Sequence, residues 1–233
     1  MQHLLQPRVL NQASVAGLAT ALLCYPRLSL WLHRPGPIWY LEAVIFCCGI
    51  ILWGFVFAWH QPGTGRPPFN FKLETGPFLI ATATGLGMGA LCHCWLDPAL
   101  RVKFPEEYPA DFNHWLATVL FTLALGQLFV TFACFDWLIR VCKQPWIALL
   151  LTGAAAAGVQ AMKLHSLAAP AAAGAHAAPG APLTAGLPAG LVAGLLAVRL
   201  MGGALAAALY LRGGVLPVWW LSLLFQSREL LDF

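Results

Sequence analysis

A lone amide stands in the middle of an apolar run: Gly126-Gln127-Leu128-Phe129-Val130-Thr131 lies at the centre of the stretch from Trp115 to Ile139. An amide in hydrocarbon is costly unless a neighbouring helix receives it, so Gln127 marks an inward face. Four ionisable residues share that predicament in other apolar stretches: Glu42, His93, Asp136 and Arg199. Glu42 lies less than two turns into its helix and reaches the interface. Asp136 stands one turn before Arg140 and pairs with it. Arg199 snorkels or meets a carbonyl. His93 has Asp97 four residues on, and an imidazole oriented by a carboxylate can ligate a metal or a tetrapyrrole. The default for such a histidine is satisfaction by Asp97 or a backbone carbonyl. Cys92-His93-Cys94 invites a metal, yet neighbouring side chains on a helix point about 100° apart and no second pair at zinc-finger spacing exists. Glu106-Glu107 is the sort of acidic pair that general acid–base chemistry uses. It precedes Tyr108-Pro109 in a polar loop, which reads as solvated.

These residues need a membrane scaffold. The 233 residues are 60% hydrophobic and 9% charged, where a soluble domain carries about 25% charged residues. Long unbroken apolar runs select helices, which satisfy their own backbone in lipid, over the short alternating segments of a barrel. Applying the length of about 20 residues per span, helices fall near 11–33, 37–59, 77–96, 114–141, 145–164, 187–211 and 215–227. The reading is an all-α polytopic transmembrane helix bundle of six or seven spans, forming one integral membrane domain over 1–233. Pro26 kinks or ends the first helix, which is retained and is not a cleaved signal. Trp39, Trp59, Trp95, Trp115 and Trp146 mark approximate boundaries.

Basic residues divide evenly between the two sides, so charge does not orient the chain. They form no tract, which excludes nucleic acid as a partner. The seven cysteines, at 24, 47, 48, 92, 94, 134 and 142, sit almost wholly in apolar runs, where cysteine behaves as a small hydrophobe. Two connections stand out. Asp97 to Phe112 is a structured polar connection or short surface helix. Ala168 to Gly186, almost all Ala, Pro and Gly apart from His176, Leu183 and Thr184, reads as a flexible linker.

Trp115 to Gln226 resembles the core of the CPBP family, intramembrane proteases related to the type II CAAX prenyl endopeptidase. That family carries Glu-Glu-x-x-x-Arg on one helix, Phe-x-x-x-His on the next and His-x-x-x-Asn on the last. The resemblance runs through Gln127 and its neighbours, through Arg140 and Lys143-Gln144-Pro145-Trp146 into Ala148 to Gln160, and then through Leu209 to Trp220. It implies that Gly126 and Gln127 stand at the acidic pair and Thr131 at the arginine. Ala156 and Gln160 stand at the second motif, and Ser222 and Gln226 at the third. Every catalytic side chain is thus replaced, and a glutamine amide takes no proton from water near neutral pH. The resemblance implies that helices 114–141, 145–164, 187–211 and 215–227 pack as one group. Gln127, Gln160 and Ser222 or Gln226 should then face a common interior.

The leading expectation is a noncatalytic CPBP-like binding or assembly component, a pseudoprotease without cofactor. Its partners would be membrane lipid and a membrane protein, contacted by the Gly153–Gly158 face or the loop from Asp97 to Phe112. Two alternatives stay open. One is a CAAX-type endopeptidase with a divergent site drawn from Glu42, His93, Glu106 and Glu107. The other is a subunit of a redox or pigment complex with His93 as axial ligand. Short loops without a eukaryotic sorting signal favour a bacterial inner membrane.

Overall fold

The computed structural model describes residues 6–32, 35–70, 74–174 and 188–232. They form an all-α bundle with no strand among the described residues. Six helices are long and apolar enough to cross a membrane, as expected of an integral membrane protein. They are α1 (Pro7–Trp31), α2 (Pro35–Thr64), α3 (Thr75–Lys103), α4 (Phe112–Cys142), α5 (Pro145–Gly174) and α6 (Ala189–Gly213). A seventh, α7 (Val215–Gln226), has 12 residues. At 1.5 Å per residue it is about 18 Å long, short of a hydrocarbon core of about 30 Å. It continues as a tight turn over Ser227–Asp232.

Sequence punctuation accounts for the ends. Asp111 caps α4, its carboxylate accepting from the His114 backbone N–H at 2.9 Å. Lys143 closes the same helix in the left-handed conformation, φ 55°, and Pro145 opens the next at a position where its missing N–H is not needed. Pro26 lies inside α1 and does not end it. Helix α2 runs past Trp59 and Pro62 to Thr64, five residues beyond the expected boundary. Helix α5 continues through the first part of the expected Ala168–Gly186 linker to Gly174; His176, Leu183 and Thr184 lie outside the described residues.

Successive helices alternate in direction, so α2, α4 and α6 end where α1 begins. Small residues bring neighbours together, as they must where lipid supplies no hydrophobic force between helices. At the α5–α6 seam a Cβ on Gly153 would lie 2.5 Å from the Leu200 carbonyl oxygen, and one on Gly203 only 2.7 Å from the Ala156 Cβ. Gly153 is therefore already spent on α6, which corrects the expectation that this position faces a partner. Gly17 against Ile50 at the α1–α2 seam and Gly85 against Leu221 at the α3–α7 seam make similar approaches.

Helix α4 runs through the core, where Leu128, Phe132 and Phe135 pack with Val56, Tyr210, Val215 and Val218, all at 0% exposure. The connection after α2 folds back into this core. Phe69 stacks on Trp53 at 5.4 Å, and the Pro68 carbonyl accepts from the Val215 N–H at 2.9 Å. Gly214, at φ 76°, admits no side chain there, because a Cβ would fall 2.4 Å from the Pro68 oxygen. Irregular backbone at this depth survives only under protein cover. Two helices widen into π-type turns, α3 over Cys92–Leu96 and α4 over Thr122–Gly126 and Leu128–Ala133. Such bulges gather at functional positions, and the pair in α4 flanks Gln127.

Candidate functional site

The Gln127 amide nitrogen donates to the Ser222 hydroxyl at 2.7 Å, and Thr131 donates to the Gln127 amide oxygen at 2.7 Å. This chain ties α4 to α7 in the middle of the bundle. Gln226 is buried beside it, its amide nitrogen 3.4 Å from the Ser222 carbonyl oxygen. Two indoles brace the same seam. Trp219 donates to the Leu123 carbonyl within the first widened turn at 2.9 Å, and Trp115 donates to the Gln226 carbonyl at 3.0 Å. Trp115, near the start of α4, is buried and ties that end of the helix to α7. A Cβ on Gly126 would touch only Thr122 of its own helix. The group consists of amides and hydroxyls, neutral side chains that tie the two helices together.

Gln160 lies elsewhere. It lines a cavity of about 130 Å³ at the Trp31 end of the bundle, with Asp97, Lys163, Arg199, Arg228 and Glu229. Asp97 is buried there, accepting from the Tyr108 hydroxyl at 3.0 Å and from Arg228 Nε at 3.0 Å. The Asp97 carboxylate serves these two partners, and His93 lies within the π-type turn Cys92–Leu96 that precedes it. Burial and the Asp97 charge push the Tyr108 phenol well above its ordinary range. Burial likewise raises the Glu229 carboxyl, which lies 3.5 Å from Arg228. Glu107 pairs with Lys163. Glu106 lies on the short turn Pro105–Glu107, and its side chain falls outside the described residues.

At the Pro7 end is a constellation that sequence reading missed. His60 Nδ1 lies 2.9 Å from one oxygen of Asp136, and the Tyr210 hydroxyl donates to the other at 2.8 Å. All three residues are 0% exposed. This overturns the expected Asp136–Arg140 pair; Arg140 instead lies over the Trp59 ring at 4.5 Å. Beside it opens a cavity of about 480 Å³ lined by Asp136, Thr64, Arg140 and Lys143. Among the described residues, His60 Nε2 has no hydrogen-bond partner. A usable signal did exist, since a carboxylate inside an apolar helix demands a partner and His60 falls one position after the expected end of its helix.

No group of three or more His, Cys, Asp or Glu gathers at metal-holding distance among the described residues. Glu42 is half-buried on α2, with one carboxylate oxygen unpartnered among the described residues. Comparison with protein-family models, with curated proteins and with solved structures gives no match.

Proposed function

We propose that the chain is a noncatalytic CPBP-like membrane protein, acting as a binding or assembly component. The contact between Gln127 and Ser222 carries this reading. The family resemblance puts these two residues at the positions of a catalytic glutamate and a catalytic histidine on helices far apart in sequence, and their side chains meet. Two positions that cooperate in a protease here hold a neutral hydrogen bond. On this reading the helix positions are kept and the carboxylate that activates water is replaced by an amide. The loop joining α3 to α4 supports the binding half of the reading. It is flanked by Val102 at 81% exposure and Phe112 at 55% exposure, which offers a membrane partner apolar contact beside a polar docking surface.

The test is a photo-crosslinker at position 102 or 112 of the full chain in its native membrane, followed by purification and a peptidase assay on prenylated and transmembrane peptides. The expected result is one discrete crosslinked membrane protein and no cleavage. Recovery of an isolated monomer at both positions, or cleavage that disappears on Glu107→Ala, would overturn the reading.

A further inference from the structure

Arg199 is the eleventh residue of a 25-residue apolar helix, a place where a guanidinium is costly unless something neutralises it. On a helix the Cα–Cβ bond leans toward the N-terminus, so the Arg199 side chain extends from mid-span toward the Trp31 end and lines the 130 Å³ cavity there. The acids of that cavity are committed elsewhere. Asp97 serves Tyr108 and Arg228, Glu229 lies against Arg228, and Glu107 holds Lys163. Arg199 is itself exposed and forms no hydrogen bond or close ion pair with another described residue; Glu229 attracts its charge and Arg228 repels it. Gln160, across the cavity on α5, likewise has no hydrogen-bond partner among the described residues.

A permanent cation and an uncommitted amide therefore face one space. Its remaining wall includes Leu164, Leu195 and Val198, which are apolar. The volume equals about four water molecules at their share of the liquid. That admits one phosphate or carboxylate group.

We infer that this cavity is a binding site for a single oxyanion, with Arg199 as its charge partner and Gln160 as its hydrogen-bond donor. The inference goes beyond the assembly role and stands whether or not the CPBP reading holds. The oxyanion arrives either as a lipid headgroup or as a free ion. Both share the chemistry that a guanidinium recognises, a planar donor fork meeting two oxygens.

Titration of the full chain in neutral detergent with short-chain phosphatidic acid, with lauric acid and with inorganic phosphate, read by native mass spectrometry, tests the site and separates its sources. Saturable binding of either amphiphile, uncompeted by inorganic phosphate, supports the site with lipid as the source. Binding of inorganic phosphate that displaces the amphiphile supports it with the free ion as the source. In either case Arg199→Gln should weaken binding about tenfold or more, the loss expected of a charge-assisted contact. Should that variant fail to fold, Gln160→Leu is read in its place, and a several-fold weakening is expected. Failure of all three probes to bind the native chain, or unchanged affinity in the folded variant, would overturn the inference.

Discussion

Two aspartates sit at opposite ends of this bundle with matching partners and different surroundings. Asp136 and Asp97 each accept one hydrogen bond from a tyrosine hydroxyl and each face one basic nitrogen, at 2.8 and 2.9 Å for Asp136 and at 3.0 and 3.0 Å for Asp97. The partners of Asp136 come from two further spanning helices, and the His60 and Asp136 side chains are both at 0% exposure. The partners of Asp97 come from the loop after its own helix and from the turn after α7, and Arg228 keeps 11% exposure. The Asp136 triad is fully buried, although Asp136 lines the 480 Å³ cavity at its end of the bundle. The Asp97 group includes a guanidinium, which keeps its charge, and lines the smaller cavity with further ions around it. The first arrangement fixes three helices to one another. The second holds a cavity wall in place while leaving Arg199 and Gln160 without a hydrogen bond to another described residue.

Removing each carboxylate should expose that difference. Asp136→Ala strands a buried imidazole and a buried phenol together, and opens a void between α2, α4 and α6. The expected loss is about 4 kcal/mol, the scale for breaking a buried charged network. Thermal unfolding of the purified protein in detergent reads it, and a loss below about 1 kcal/mol would show that water already reaches the site. Asp97→Ala should cost less, about 2 kcal/mol on the scale of a lost charged hydrogen bond. Arg228 retains Glu229 at 3.5 Å and the Phe225 carbonyl at 2.8 Å, and the Tyr108 hydroxyl gains access to solvent. If the two substitutions prove equal, the Trp31 end is as sealed as the Pro7 end, and the cavity is not a route for ligand.

The bundle itself was legible in the sequence because a hydrocarbon solvent leaves few options. Runs of about 20 apolar residues must be helices, and the helix starts followed within a few residues, whereas α3 and α5 run seven and ten residues past their expected ends. Tertiary partners were harder to read. Asp136 was paired with Arg140 because local spacing is visible in a sequence, whereas His60 and Tyr210 lie 76 and 74 residues away. His60 was also hidden by Gln61-Pro62, which imitates the end of a helix; the helix nevertheless continues, with the Thr64 hydroxyl donating to the His60 carbonyl at 2.7 Å. Gln127 and Ser222 meet as the expected common interior required, whereas Gln160, expected in the same interior, lines the cavity at the Trp31 end. Seven residues are almost two full turns, so Gln160 shares a stripe with Gly153, and that stripe packs on α6.

The smallest expected effect sharpens the comparison from the acidic neighbour of Arg228. Burial raises the Glu229 carboxyl above its ordinary value, against the lowering influence of Arg228. Between the ordinary value and the raised one, the unfolded chain has released this proton and the folded chain still holds it. The folded state then binds more protons, so its stability falls as pH rises through that window. Asp111 works in the opposite sense, because the His114 backbone N–H lowers its value, and its contribution is lost as pH falls below the ordinary carboxylate range. Melting temperature against pH should therefore show a decline on the alkaline side of the carboxylate range that Glu229→Gln flattens, with the acid-side fall left in place. An identical profile in the variant would mean that solvent already hydrates Glu229 fully. The cavity at the Trp31 end would then be wetter than its lining of Leu164, Leu195 and Val198 implies, and a bound oxyanion would gain less from leaving bulk water for Arg199.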